Sequence, residues 1–161
     1  MAATWTIMAP MGVAEFELQR TIKAPIADVF ARLADVEGHN EWMPKKGSIH
    51  RNSTLTSPGP AALGTTYVDS TTFGKTPGEI VEFDPPRRLL HHWWDSTSSG
   101  RVKMEGWPGY SLEAVGDGET LVRHDAKLAT HGIYGMVTPV LKRLALRERT
   151  ATLDALKKSF E

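Results

Sequence analysis

The chain has 161 residues, 40% of them hydrophobic and 24% charged, and its 19 Lys and Arg residues balance its 19 Asp and Glu residues. A formal charge of zero gives no general attraction to nucleic acid or to anionic membranes. The absence of cysteine excludes disulfides, thiolate nucleophiles and cysteine-ligated metal sites. We therefore expect one globular domain that side-chain packing stabilises, with no nucleic-acid partner.

Residues 1–13 show no regular pattern and predict an irregular lead-in to a single domain over residues 14–161. This segment has no basic leading stretch, and Pro10 and Gly12 interrupt its apolar run well before the roughly 20 residues that a membrane span needs. We expect no stable membrane insertion and a cytoplasmic location.

The first predicted elements are a strand and two short helices. Residues 15–22 alternate polar and apolar side chains, as a half-buried strand requires. Apolar residues then recur at helical spacing behind Pro25, which suits a first helical position. Residues 35–43 predict a second short helix or turn that ends before Pro44.

The middle of the chain predicts an antiparallel meander, because short strand-like pieces alternate with turns rich in Gly, Pro and Asp. These pieces are residues 65–73, 79–83, 89–94, 101–112 and 120–128. Gly106, Pro108 and Gly109 indicate a bulge or bend in the fourth piece. From about Tyr134 to Phe160 the apolar spacing becomes helical, which predicts one long C-terminal helix.

Several short motifs follow this order of elements, among them Ile22-Lys23-Ala24-Pro25, Glu41-Trp42-Met43-Pro44 and Asp84-Pro85-Pro86-Arg87-Arg88-Leu89. In these motifs the chain resembles the START-like superfamily (SRPBCC), in its polyketide cyclase/dehydrase and lipid-transport branch. The resemblance implies an α+β helix-grip fold: a curved antiparallel sheet of about six or seven strands around a long C-terminal helix, with two short helices between strands 1 and 2. It implies a cavity but no particular chemistry, since such families include cyclases, aromatases and lipid carriers.

Alternation along the strands predicts the cavity wall, because successive strand side chains point to opposite faces. His124 shares a face with apolar neighbours, and alignment of Leu89 with the inward leucine of the family places His91 and Trp93 inside. The apolar set of residues 101–112 should also face inward. The candidate ligand-binding residues are Trp42, Tyr67, His91, Trp93, Met104, Tyr110 and His124.

His124 and His91 are the candidate catalytic residues. Histidine titrates near neutral pH and can act as a general base or as a hydrogen-bond partner of a ligand, or it can be a structural residue bonded to a neighbour. The adjacent His91 and His92 point apart on a strand, and no metal-ligand spacing occurs on a helix. We expect no bound metal and no cofactor.

The charged residues of the last helix, Lys142-Arg143 and Arg147-Glu148-Arg149, predict a solvated face. Three functions remain open. The first is binding of a small hydrophobic molecule (a lipid, a polyketide or another aromatic compound) in the internal cavity. The second is a cyclase/dehydrase-type enzyme that uses a cavity His and Tyr as acid and base. The third is a protein-interaction module, for which Trp94 and Trp107 would supply an outer apolar patch. A homodimer is compatible with each.

Overall fold

The computed structural model of the protein describes residues 12–161. Most of the predicted lead-in, residues 1–11, lies outside the described residues. The first strand begins at Gly12, so the last two residues assigned to that lead-in belong to the sheet.

The described part of the chain folds into seven strands and three α-helices. In chain order they are β1 (Gly12–Ile22), α1 (Ile26–Ala34), α2 (His39–Trp42), β2 (His50–Leu55), β3 (Thr66–Thr71), β4 (Gly74–Asp84), β5 (Arg88–Ser96), β6 (Val102–Ala114), β7 (Thr120–Thr130), a 3-10 helix (Gly132–Val137) and α3 (Thr138–Lys158). Neither α3 nor any other helix within residues 12–161 is long and apolar enough to cross a membrane.

All seven strands form one antiparallel sheet in the order β1-β7-β6-β5-β4-β3-β2. Consecutive strands from β2 to β7 are neighbours, and β1 closes the far edge against β7. The curved sheet, the long C-terminal helix and the two short helices between β1 and β2 confirm the predicted α+β helix-grip fold.

Strand β2 is the one strand that the sequence does not predict. Its two buried residues are polar, His50 and Ser53, so no apolar stripe marks it. Hydrogen bonds replace apolar packing here: the Ser53 hydroxyl donates to Oδ1 of Asp69 at 2.6 Å, and Nε2 of His50 lies 2.9 Å from Oγ of Ser53. Buried polar groups are tolerated when they are paired in this way.

The hydrophobic core lies between the inner face of the sheet, helix α1 and the C-terminal half of α3. Its fully buried members come from all three layers: Ile22, Val29, Leu33, Ile80, Leu89, Val122, Leu153 and Leu156. Burial of an aliphatic side chain of this size contributes about 1.5–3 kcal/mol. The N-terminal half of α3 contributes no fully buried residue, and its Val140 is 66% exposed.

Contacts at both ends position α3 across the sheet, and at its N-terminal end the hydroxyl oxygens of Thr138 and Thr130 of β7 lie 2.7 Å apart. Pro139 lies in the first turn, where its missing N–H breaks no helical hydrogen bond. Near the C-terminal end, Arg20 of β1 binds Asp154 at 2.8 Å, and the guanidinium of Arg32 lies 3.7 Å from the ring centroid of Phe160.

No bulge interrupts the β6–β7 ladder at residues 106–109, because the two strands pair in unbroken register from Met104–Thr130 to Ala114–Thr120, and the bend that these residues also indicated stays a prediction. The glycines instead make room for neighbouring side chains. A Cβ atom at position 106 would lie 2.5 Å from the indole of Trp93.

Candidate ligand-binding site

The side chains of β5 alternate between the interior and the outer face of the sheet. Leu89 and His91 are buried, and Leu89 packs in the core with residues of α1 and α3, whereas His92 stacks on Trp107 of β6 on the outer face, with ring centroids 4.8 Å apart. Nε2 of His92 also binds Glu105 at 2.8 Å. Of the two adjacent histidines, His91 is the one that faces the interior.

Tyr67 and His91 form the first polar pair of the interior. The Tyr67 hydroxyl and Nδ1 of His91 share a hydrogen bond of 2.9 Å, and the two rings meet edge to face. Burial, followed by the electrostatic effects of His39 and Arg149, lowers the pKa of His91 to about 3. Burial also raises the pKa of Tyr67 well above its usual value. The pair is therefore neutral at physiological pH.

Tyr110 and His124 form the second pair, on directly opposed positions of β6 and β7. Their rings are stacked, with centroids 4.2 Å apart and planes 4° apart. Nδ1–H of His124 donates to the carbonyl oxygen of Gly109 at 2.7 Å. Burial, followed by the charge of Arg149, lowers the pKa of His124 to about 3, so the ring is neutral and its Nε2 is a hydrogen-bond acceptor.

Nε2 of His124 is fully buried and has no hydrogen-bond partner among the described residues. The Tyr110 hydroxyl forms no hydrogen bond with the described part of the chain either, and burial raises its pKa so that it keeps its proton. Buried polar atoms in proteins almost always have a partner in the protein or in a bound molecule. Nε2 of His124 is thus left as an acceptor for a ligand or water.

Trp42 and His39 lie where α2 meets the interior. Nε2–H of His39 donates to the carbonyl oxygen of Leu33 at 2.7 Å, and the His39 ring contacts Trp42 edge to face. Trp42 packs against the hydrophobic core, yet its indole N–H is a second buried polar group without a partner in residues 12–161. It adds a donor to the unpaired groups of the interior.

Trp93 and Met104, the remaining predicted wall residues, are half-buried and lie farther along the sheet. Trp93 lies over Gly106, just as the ring of Tyr67 lies over Gly78, where a Cβ would be 2.4 Å from it. Met104 is six residues from Tyr110 on β6, about 20 Å at the rise of an extended strand. The structure therefore brings Trp93 near the two Tyr–His pairs, but not Met104.

Two charged residues of α3, predicted as solvated, face inward instead, and this corrects the prediction for Glu148 and Arg149. Glu148 is only 8% exposed and accepts hydrogen bonds from Oγ of Ser48 at 2.6 Å and from the backbone N–H of Ile49 at 3.0 Å. Arg149 is half-buried and donates to the hydroxyl of the buried Thr152 at 3.1 Å. A charge on the apolar stripe of the helix is the signal that could have identified them.

Two grooves on the outer surface do not coincide with this interior. One, of about 450 Å³, lies on the outer side of α3 between Arg143 and Asp154, and one of about 650 Å³ lies on the outer face of the sheet around Trp107. At the second groove Arg88 binds Asp125 at 2.6 Å. The unpaired buried atoms are inside, so we take the interior as the candidate site.

No three His, Asp or Glu side chains of residues 12–161 converge as metal ligands. His92 and His131 both bind Glu105, at 2.8 and 2.6 Å, through separate carboxylate oxygens on the outer face. The expectation that the protein holds no metal and no cofactor stays a prediction.

Solved structures with the same fold support this architecture. The Zhui aromatase/cyclase of a Streptomyces species superposes with a TM-score of 0.74 at 14% identity, over 91% of this chain and 93% of its own. A hypothetical protein from Helicobacter pylori superposes with a TM-score of 0.73 at 14% identity, over 100% of this chain and 97% of its own. A START superfamily protein from Mycobacterium smegmatis superposes with a TM-score of 0.68 at 11% identity, over 91% of this chain and 96% of its own. At these identities the likeness establishes the fold alone.

No curated protein matches the sequence. The model of one sequence family, described as polyketide cyclase / dehydrase and lipid transport, matches residues 13–161, from the first strand through α3. Together with the seven-stranded sheet that surrounds α3, this match shows that the chain belongs to the polyketide cyclase/dehydrase and lipid transport family.

Proposed function

We propose that the protein binds a small hydrophobic molecule, such as a lipid, a polyketide or another aromatic compound, between the inner face of the sheet and α3. The observation that carries the proposal is the unpaired Nε2 of His124, which is fully buried beside the ring of Tyr110. An unpaired buried acceptor costs about 1–3 kcal/mol unless a bound molecule or water supplies a donor.

The composition of the interior supports a mostly apolar ligand with few polar groups. The ring of Tyr110 belongs to the hydrophobic core and Trp42 packs against it, and the buried side-chain atoms left without a partner among residues 12–161 are few: Nε2 of His124 and the indole N–H of Trp42. Small-molecule sites in proteins typically combine an apolar wall with a few such polar groups.

Binding without turnover is favoured over a cyclase/dehydrase reaction by the protonation state of the histidines. A general base works best when its pKa lies near the working pH. Burial lowers the pKa of both His91 and His124 to about 3, so each is a weak base suited to hydrogen bonding. The enzymatic alternative requires a substrate that raises one of these pKa values.

The outer tryptophans favour ligand binding over a protein-interaction module. Trp94 and Trp107 are half-buried, His92 packs against both rings, and Nζ of Lys127 lies 5.5 Å from the ring centroid of Trp107. They form no open apolar patch. A cytoplasmic location, no nucleic-acid partner, no stable membrane insertion and compatibility with a homodimer complete the proposal as predictions.

Titration of the purified protein with 2-naphthol, followed by its tryptophan fluorescence, tests this proposal. The naphthol ring offers an apolar body, and its O–H can donate to Nε2 of His124. We expect His124→Phe to weaken binding about ten-fold or more, since one buried hydrogen bond is lost. His92→Phe, the same change on the outer face, should leave the affinity unchanged.

Native mass spectrometry and solvent extraction of the purified protein test for a copurified ligand. A protein with no copurified molecule that also fails to bind 2-naphthol contradicts the proposal. Equal affinity of wild type and His124→Phe would place the ligand elsewhere.

A further inference from the structure

One positive charge enters the interior without a negative partner. Arg149 lies on the inward side of α3, where its Nη2 donates to the hydroxyl of Thr152, a residue 2% exposed. No carboxylate of the described residues lies within 4.0 Å of the guanidinium, and residues 1–11 contain neither Asp nor Glu. One hydroxyl occupies only part of the five-donor capacity of an arginine.

The adjacent carboxylate does not neutralise this charge. Both oxygens of Glu148 are already engaged, by the Ser48 hydroxyl and by the backbone N–H of Ile49. These bonds tie Glu148 to the segment before β2. Arg149 is therefore the charged group of α3 that remains for a ligand.

The charge of Arg149 reaches both Tyr–His pairs. It contributes to the lowered pKa values of His91 and His124, after burial, and it acts against the burial effect on the hydroxyls of Tyr67 and Tyr110. Arg149 thus acts on all four rings, as expected of a guanidinium on the inward side of α3.

We infer that the ligand of this site is an amphipathic carboxylic acid, whose carboxylate binds the guanidinium of Arg149 while its apolar body lies against Tyr110 and the core. The unpaired Nε2 of His124 then accepts a hydrogen bond from a hydroxyl of the ligand or from a water. This inference rests on the proposed function and adds the chemical class of the ligand.

Arginine suits this role because its planar guanidinium donates two parallel hydrogen bonds to one carboxylate. In a site shielded from water, such charge-assisted bonds are about twice as strong as neutral ones. A neutral alcohol of the same shape keeps the apolar contacts and loses only this interaction. Matched acid–alcohol pairs therefore isolate the contribution of Arg149.

Isothermal titration calorimetry at about pH 7 with two such pairs tests the inference. The aromatic pair is 2-naphthoic acid and 2-naphthalenemethanol, and the aliphatic pair is decanoic acid and 1-decanol. We expect the acid of at least one pair to bind about ten-fold more tightly than its alcohol, as one charge-assisted hydrogen bond provides. The pair that shows the preference identifies the ligand body as aromatic or aliphatic.

Three variants assign the preference to one residue. Arg149→Met should abolish the preference for the acid and leave the affinity for the alcohol within about two-fold, whereas Arg149→Lys should keep part of it. Arg143→Met is the matched control, because Arg143 is exposed on the outer side of the same helix. Circular dichroism checks that each variant is folded.

The outcomes separate the two proposals. Equal affinities for acid and alcohol in the wild type, or a preference that survives in Arg149→Met, overturn the carboxylate inference and leave hydrophobic binding intact. If neither member of either pair binds the wild-type protein, the result contradicts the proposed function as well.

Discussion

The imidazole of His124 lies parallel to the phenol ring of Tyr110, with ring centroids 4.2 Å apart and the ring planes 4° apart. The two residues are cross-strand partners on β6 and β7. The stack and the Nδ1–H bond to Gly109 together fix the imidazole, so its free Nε2 has one orientation. A rigid, neutral acceptor of this kind is suited to selecting a ligand by its hydroxyl group.

Substitution of His124 should separate its structural role from its binding role. His124→Phe keeps an aromatic ring against Tyr110 but loses the bond to Gly109, and we expect it to lower the free energy of unfolding by about 1 kcal/mol. His124→Ala also creates a cavity and should cost about 2–4 kcal/mol. Urea unfolding measures both changes.

The control for this prediction is His131→Ala, since His131 binds Glu105 from a side chain that is 32% exposed. Such partly exposed side-chain hydrogen bonds contribute no more than about 1 kcal/mol. A cost of His124→Ala no larger than that of His131→Ala would contradict the buried, bonded position of His124.

Alternation along strands predicts most of the fold and part of the site. It gives the order of elements and the inward direction of Tyr110, Leu112 and His124. Every second side chain of a strand points to the same face of the sheet, so an apolar set at alternate positions indicates the buried face. It does not predict β2, whose buried residues His50 and Ser53 are polar and held by hydrogen bonds. A hydrogen-bond partner on another strand, such as Asp69 for Ser53, leaves no periodic pattern in the sequence of β2.

The charged residues of α3 show a second limit of sequence reasoning. A run of charges on a helix is usually solvated, and Arg147 at 3.1 Å from the carbonyl oxygen of Gly47 fits that expectation. Glu148 differs because its carboxylate accepts hydrogen bonds from the loop before β2. Arg149 differs because it is half-buried and its guanidinium donates to the buried Thr152. The burial of Glu148 depends on its hydrogen bond with Ser48, which lies 100 residues away in the chain.

The Tyr67–His91 hydrogen bond should contribute to stability in a way that the Tyr110 hydroxyl does not. Tyr67→Phe removes the 2.9 Å bond and leaves Nδ1 of His91 buried without a partner, so we expect a loss of about 1–2 kcal/mol. Tyr110→Phe removes a hydroxyl that has no partner among the described residues and should change stability by less than about 0.5 kcal/mol.

Chemical denaturation of the two phenylalanine variants under the same conditions measures this difference. Because both tyrosines are buried, the comparison cancels the general effect of deleting a hydroxyl from the interior. Equal losses in the two variants would contradict a specific contribution of the Tyr67–His91 pair.

Glu148 should stabilise the protein although it is a buried carboxylate. Glu148→Ala leaves the Ser48 hydroxyl and the backbone N–H of Ile49 without their acceptor, and we expect it to cost about 2–3 kcal/mol. Thermal unfolding followed by circular dichroism measures the loss. Asp154→Ala on the same helix is the control: its carboxylate binds Arg20 from a side chain that is 55% exposed, so it should cost under about 1 kcal/mol.

Stability should fall in acid through His91 and His124. Their pKa values are about 3 in the folded protein, whereas histidine in an unfolded chain titrates near 6.5. Between these values the unfolded state binds more protons than the folded state, so the free energy of unfolding rises with pH. We expect the full stabilisation above about pH 6.5 and a loss of up to about 1.4 kcal/mol per pH unit for each histidine as the pH falls toward 3.

His124→Phe separates this effect from the titration of carboxylates, which also changes stability in acid. The variant has one group fewer that takes up a proton on unfolding, so its free energy of unfolding should fall less steeply between about pH 6.5 and pH 4, by up to about 1.4 kcal/mol per pH unit. Urea titrations at several pH values measure both slopes. Parallel slopes for wild type and variant would mean that His124 takes up its proton in the folded protein, and would restore it as a candidate general base.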